Sequence, residues 1–222
     1  MGMIAKCQPV VEDKQYQGAP IVTHLATQRD PWYKLACLAT VDGGKLRPME
    51  NDVYAAIDLG TNNCRLLVAR IGRDSFRVID SYSRIVRLGE GLGEVKNGPD
   101  ALSDNAISRT IEALAVCADK MHRNGVTRSR SVTTEACRRA ANRQSFYDRV
   151  KTETGIALET LSTEEEAQLT LDGCRQLLMP DVSRALVFDI GGGSTELIWV
   201  ECSAAGEARV IGMRSFPLGV VT

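Results

Sequence analysis

Two apolar runs in this chain end in the same kind of turn, and that repetition limits the folds open to it. VYAAIDL at 53–59 is followed by GTNN and then CRLLVARI; RALVFDI at 184–190 is followed by GGGSTE and then LIWVEC. Each run is short, nearly continuous in apolar residues and closed by a turn, as expected of a buried strand leading into its hairpin partner. The two figures lie roughly 130 residues apart, well beyond the ~20 to 50-residue periods of solenoids, so the spacing predicts two duplicated units.

The second turn carries an unusual cost. Gly191, Gly192 and Gly193 follow Asp189 with only Ile190 between, and glycine loses more backbone freedom on folding than any other residue. A strand that closes on Asp-x-Gly places a carboxylate near backbone N–H groups that no side chain covers. Successive amides of this kind form an anion-binding concavity, and the adjacent carboxylate can hold a hydrated divalent cation. Phosphate with Mg²⁺ is the natural ligand of such a pair of turns across a cleft. The plain alternative for a lone glycine run is a flexible hairpin.

The rest of the chain divides around these figures. Residues 1–52, interrupted by Pro9, Pro20, Pro31 and Pro48, read as a poorly ordered extension with a helical turn around Trp32 to Ala39. A first α/β unit is predicted over 53–180. It opens with a meander of three strands, the second hairpin closing at Gly72-Arg73-Asp74. Apolar residues at Leu102, Ile107, Ile111, Leu114 and Ala118 mark a helix ending near Asn124-Gly125. VTRSRSVTT and GIALETL read as strands, with a short helix, SFYDRVKTET, between them. STEEEAQLTLDGCRQLL is a second strong helix, capped by Ser162 or Thr163 with Glu165 or Glu166 three residues on. A second unit is predicted to begin at 181, with a third strand over Glu207 to Arg214.

Composition narrows the function. With 27 basic and 28 acidic residues the formal charge is −1, which argues against a chain-wide pull toward nucleic acid or anionic lipid. No window approaches the ~20 apolar residues of a membrane span, and no secretion signal opens the chain, so a cytoplasmic protein is expected. The seven cysteines are scattered, with no C-x-x-C pair and only two histidines, and read as reduced packing thiols. There is neither a P-loop nor a dinucleotide fingerprint.

AAIDLGTNNCRLLVA, TTEACRRA, LSTEEEAQL and FDIGGGSTEL, in this order, resemble the exopolyphosphatase and guanosine pentaphosphate phosphohydrolase (Ppx/GppA) family, within the actin, sugar-kinase and heat-shock ATPase superfamily. The resemblance runs from Val53 to the C-terminus. It implies a ribonuclease-H-like, actin-type α/β domain with a mixed sheet, followed by a second domain of the same type with the active site between them. It also implies Mg²⁺-dependent hydrolysis of the terminal phosphoryl group of polyphosphate or guanosine pentaphosphate. Phosphoryl transfer through a loose transition state asks mainly for positioning and charge neutralisation.

Roles follow from the match. Glu166 corresponds to the catalytic glutamate that orients and deprotonates the attacking water, while Glu164 and Glu165 are left as capping or solvated charges. Asp58, Asp189 and Glu196 correspond to the acidic residues at the metal. Gly60, Thr61 and Asn62 on one side, and Gly192, Gly193, Ser194 and Thr195 on the other, are expected to hold phosphate oxygens. Arg138 corresponds to an arginine whose planar fork suits a terminal phosphate; Arg139 and Arg143 either extend that basic track or form a solvated face.

Two departures accompany the match. Asn63 stands where relatives carry a hydroxyl, and the sequence stops at PLGVVT within the second domain, so the second unit at 181–222 is expected to be incomplete, with an open sheet edge and an exposed apolar face. Two further readings are a kinase or ATPase of the same superfamily and a non-catalytic polyphosphate-binding fragment. A second copy of the chain is kept as a candidate partner.

Overall fold

The computed structural model describes residues 52–71, 76–93, 99–178, 182–203 and 206–221. The predicted extension, apart from Asp52, and the Gly72-Arg73-Asp74 turn lie outside the described residues.

The opening meander forms as β1 (Val53–Leu59), β2 (Asn63–Ile71) and β3 (Phe76–Ile85). Strand β4 (Arg128–Thr133) pairs parallel to β1, and β5 (Glu159–Thr160) pairs parallel to β4, giving a mixed sheet in the order β3-β2-β1-β4-β5. All seven residues of the central strand β1 are buried, which explains why VYAAIDL reads as a continuous apolar run. Helices α1 (Asp104–Arg123), α2 (Glu135–Arg139) and α3 (Arg143–Thr154) follow the meander. Ile107, Ile111 and Leu114 of α1 and Phe146 and Val150 of α3 join Ile57, Leu66 and Val68 in one core. Ser103 caps α1 by accepting from the Ala106 amide at 3.2 Å, satisfying one of the N–H groups a helix start leaves without a partner.

The strand expected across GIALETL is reduced to Glu159–Thr160. Gly155 ends α3 in the left-handed conformation, φ 75°, and Ile156 then enters the core. The chain reaches β4 only at that strand's C-terminal end, where Val132 pairs with Glu159 and Thr133 with Thr160. Hydroxyls hold this junction: Tyr147 bonds Thr133 and Thr160 at 2.5 and 2.7 Å, fixing the end of β4 from which α2 departs.

Helix α4 (Thr163–Cys174) continues into a 3₁₀ turn over Arg175–Leu177. Ser162, rather than Thr163, is its cap and accepts from the Glu165 amide at 3.1 Å. The helix joins the two halves of the molecule. Glu165 in its first turn pairs with Arg130 of β4, while Ala167 and Leu171 pack with Ala185, Ile198, Val200 and Ala208 beneath the second sheet. That sheet is antiparallel, in the order β6 (Arg184–Ile190), β7 (Thr195–Cys202), β8 (Ala208–Phe216). Its period-2 alternation turns Ile198 and Val200 toward α4 and leaves Phe188, Ile190 and Trp199 exposed by 41, 53 and 39%.

Candidate active site

The two Asp-x-Gly turns meet face to face. A Cβ placed on Gly193 would lie 2.7 Å from Oγ1 of Thr61, and one on Gly192 would lie 3.1 Å from the amide nitrogen of Asn62. This contact, rather than hairpin flexibility, accounts for two of the three glycines: a side chain at Gly193 would collide with Thr61, and one at Gly192 would press closely on Asn62. Gly60 N–H donates within its own turn to Asn63 at 2.9 Å, and Gly191 N–H does the same to Ser194 at 2.8 Å. The amides of Thr61, Asn62, Gly192 and Gly193 donate to no acceptor among the described residues. N–H groups without an acceptor among the described residues therefore lie on both of two touching turns, the kind of backbone group an anion site uses.

Four carboxylates surround these turns. Asp58, one residue before the end of β1, stands opposite Arg65 in the β1–β2 ladder, with Nη1 of Arg65 at 3.7 Å from its Oδ2. Asp189 on β6 accepts from the Thr170 hydroxyl of α4 at 2.8 Å. Glu196, directly across the ladder from Asp189, is 1% exposed and accepts from the Ser215 hydroxyl at 2.7 Å. Glu166, in the first turn of α4, is also buried. Burial raises the carboxyls of Asp189 and Glu196 above their ordinary values, opposed by these hydroxyl bonds, and the Asp189 charge adds to the rise at Glu196. At Glu166 burial dominates. It pushes the carboxyl up to about 8 against the pull of Arg138, with the charges of Glu196 and Asp189 adding to the rise. Several carboxyls crowded in a poorly solvated place have raised values when negative charge exceeds local positive charge.

Arg138 is already engaged. Its Nη1 donates to Glu166 Oε2 at 2.6 Å and to the Leu161 carbonyl at 3.1 Å, while Nε and Nη2 donate to Glu135 Oε2 at 3.3 and 3.2 Å. A guanidinium has five N–H groups, so one on Nη2 is left. A two-pronged grip on phosphate by Arg138 would require it to release Glu135 or Glu166. Arg139, instead of extending a basic track, is held on Asp100 at 2.6 Å.

Asp58, Asp189 and Glu196 offer hard oxygen donors, and the raised carboxyls of Asp189 and Glu196 mark charge that a cation would relieve. Among the described residues, however, no three acidic, histidine or cysteine side chains are gathered as a metal cage. The set fits Mg²⁺ held by one or two carboxylates through its own water and through phosphate, the usual manner of that ion. Ser194 is buried beside the turn, and the Thr195 hydroxyl is committed to the Leu218 carbonyl at 2.6 Å.

Four contributors were not singled out from the sequence: Arg65, Thr170, Ser215 and Glu135. Arg65 was accessible through hairpin register, since a tight turn at GTNN sets it across from Asp58. Thr170 lies four residues after Glu166 and so on the same helix face. Glu135 is three residues before Arg138 on one short helix. Nothing local points to Ser215, which reaches Glu196 only through the β7–β8 register.

Known proteins resemble this chain in sequence and fold. The profile of the Ppx/GppA phosphatase family matches residues 67–222. The crystal structure of the Aquifex aeolicus Ppx/GppA family member is 32% identical over 77% of this chain and 52% of its own, with a TM-score of 0.61. An exopolyphosphatase from Cytophaga hutchinsonii is 28% identical over 76% of this chain and 51% of its own, with a TM-score of 0.65. An exopolyphosphatase-like protein is 31% identical over 78% and 52%, with a TM-score of 0.67. The chain thus spans about half the length of these structures.

Proposed function

Because the chain belongs to the Ppx/GppA phosphatase family, we propose that it serves as a phosphohydrolase releasing terminal phosphate from polyphosphate or guanosine pentaphosphate. One observation carries this reading. A buried glutamate, Glu166, stands paired to Arg138 and electrostatically coupled to Glu196 and Asp189, the latter two flanking the second of two touching turns whose amides at Thr61, Asn62, Gly192 and Gly193 have no acceptor among the described residues.

The chain's own groups divide the work. The turn amides bind phosphate oxygens and fix the phosphoryl group between the two halves. Glu166, once deprotonated, accepts a proton from the water that attacks phosphorus, and its raised carboxyl makes it a stronger base than an exposed glutamate. Arg138 holds that carboxylate in one orientation and places positive charge where the transferred group develops negative charge. Asp58, Asp189 and Glu196 would hold Mg²⁺, which supplies neutralisation of phosphate charge. Among the described residues no helix is long and apolar enough to cross a membrane, and we take the site of action to be the cytoplasm. A homodimer is the assembly to test first by sedimentation.

The test is phosphate release from tripolyphosphate and from guanosine pentaphosphate, with and without Mg²⁺, by the full chain and by Glu166→Gln. Release that needs Mg²⁺ and falls by ~10²-fold or more in the variant is expected. No release from either substrate, or an unchanged rate in the variant, overturns the catalytic reading; binding without release would instead assign the chain a polyphosphate-binding role.

A further inference from the structure

The carbonyl groups of the two turns are tied down by two short segments that also match one another. In the first half, the amides of Val86 and Arg87 donate to the Asn62 carbonyl at 2.9 and 3.0 Å, and that of Gly89 donates to the Thr61 carbonyl at 2.9 Å. In the second, the amides of Val220 and Val221 donate to the carbonyls of Gly191 and Gly192, each at 3.1 Å. Both straps contain Leu-Gly, at 88–89 and 218–219, and both glycines are sterically required. A Cβ on Gly89 would lie 2.3 Å from Cγ2 of Thr61, and one on Gly219 would lie 2.3 Å from the carbonyl carbon of Gly192.

The peptide plane turns these bonds into an orienting device. In a trans peptide the C=O of one residue and the N–H of the next point in opposite directions. Fixing the Thr61 carbonyl therefore fixes the Asn62 amide, and fixing the carbonyls of Gly191 and Gly192 fixes the amides of Gly192 and Gly193. These three amides are among those left without an acceptor. Each strap is itself anchored. Arg109 of α1 donates to the carbonyls of Val86 and Arg87 at 3.1 and 3.4 Å, and Arg87 holds a positive φ of 48°, uncommon for a residue with a side chain. The second strap is anchored by Thr195, whose hydroxyl donates to Leu218 at 2.6 Å.

We propose that the two Leu-Gly straps are positioning elements that aim the turn amides at bound phosphate, and that the Thr195 hydroxyl acts through its strap rather than on phosphate. The proposal rests on the phosphate-binding reading of the turns. In a flexible glycine turn the amides would sample many directions, and ordering them would weaken binding; the straps supply that order before the anion arrives.

The experiment compares the full chain with Thr195→Val, Thr195→Ser and Gly219→Ala, using Mg²⁺-tripolyphosphate as the calorimetric probe and hydrogen exchange of the Val220 and Val221 amides in the free protein. Thr195→Val is expected to speed both exchanges and weaken binding about tenfold, the scale of one lost hydrogen bond, with Thr195→Ser restoring both. Gly219→Ala is expected to weaken binding further. Weaker binding with unchanged exchange in Thr195→Val would place its hydroxyl on phosphate and overturn the strap assignment, as would unchanged binding in Thr195→Val and Gly219→Ala. Absence of binding by the unsubstituted chain would overturn the phosphate reading itself and the straps' role with it.

Discussion

Nη1 of Arg138 stands 2.6 Å from Oε2 of Glu166, joining the short helix after β4 to the first turn of α4. The pair is largely buried, so the guanidinium holds down a carboxyl that burial alone would raise further. Arg138→Gln removes that pull. The pH midpoint of phosphate release, expected at about 8 with Glu166 as the base, should then rise by about one unit or more. Arg138→Lys, which keeps charge but loses the fork, should fall between the two. A pH–rate profile with an unmoved midpoint would separate the rate-setting group from this pair.

Glu166 also leaves a mark on stability. Its carboxyl rises from 4.5 to about 8 on folding, so between these values the folded chain holds a proton that the unfolded chain has lost. The stabilising contribution is complete below the lower value and fades as pH rises through the upper one. Thermal unfolding of the chain should therefore move to lower temperature from pH 5 to pH 9. Glu166→Gln should show a shallower decline rather than a flat one, because Asp189 and Glu196 are raised as well and remain. Parallel curves for the two proteins would contradict the assignment.

Arg65 is the cation that the first turn supplies for itself. It stands 3.7 Å from Asp58, and its charge also holds Asp189 down against burial and alongside the Thr170 bond. Arg65→Met should cost on the order of 3 kcal/mol in chelator, the scale of a broken buried pair. Millimolar Mg²⁺ should recover part of that loss, and should shift the variant's melting temperature more than the unsubstituted chain's. An equal Mg²⁺ shift in both would show that Arg65 and the metal do not share these carboxylates.

Local signals made most elements legible. Continuous apolar runs marked β1 and β6, a helical stripe marked α1, and the capping pattern placed the start of α4, because each depends on residues close in sequence. The mixed sheet was reached through the resemblance, since the parallel pairing of β1 with β4 joins residues some 74 apart, Tyr54 with Arg128. What stayed hidden depends on register or on the meeting of distant segments. Ser215 reaches Glu196 through β7–β8 pairing, β5 shortened because Ile156 was drawn into the core, and Arg138 proved to be spoken for by Glu135 and Glu166. The triple glycine was read as a phosphate turn or a flexible hairpin; its steric reason, the first turn lying against it, belongs to neither segment alone.

That turn-to-turn contact makes a last quantitative expectation. A methyl on Gly193 would fall 2.7 Å from Oγ1, 3.0 Å from Cγ2 and 3.2 Å from Cβ of Thr61, so Gly193→Ala must push the two turns apart. The cost expected in chemical denaturation is about 1–3 kcal/mol, the range for overpacking a closely fitted place. Thr61→Gly removes all three colliding atoms, so Gly193→Ala made in that background should cost much less. The double-mutant cycle should then give a coupling of at least ~1 kcal/mol, as expected of residues in direct contact. Additive effects would mean that the turns do not touch in solution, and that the convergence of their amides on one phosphate needs closure of the two halves.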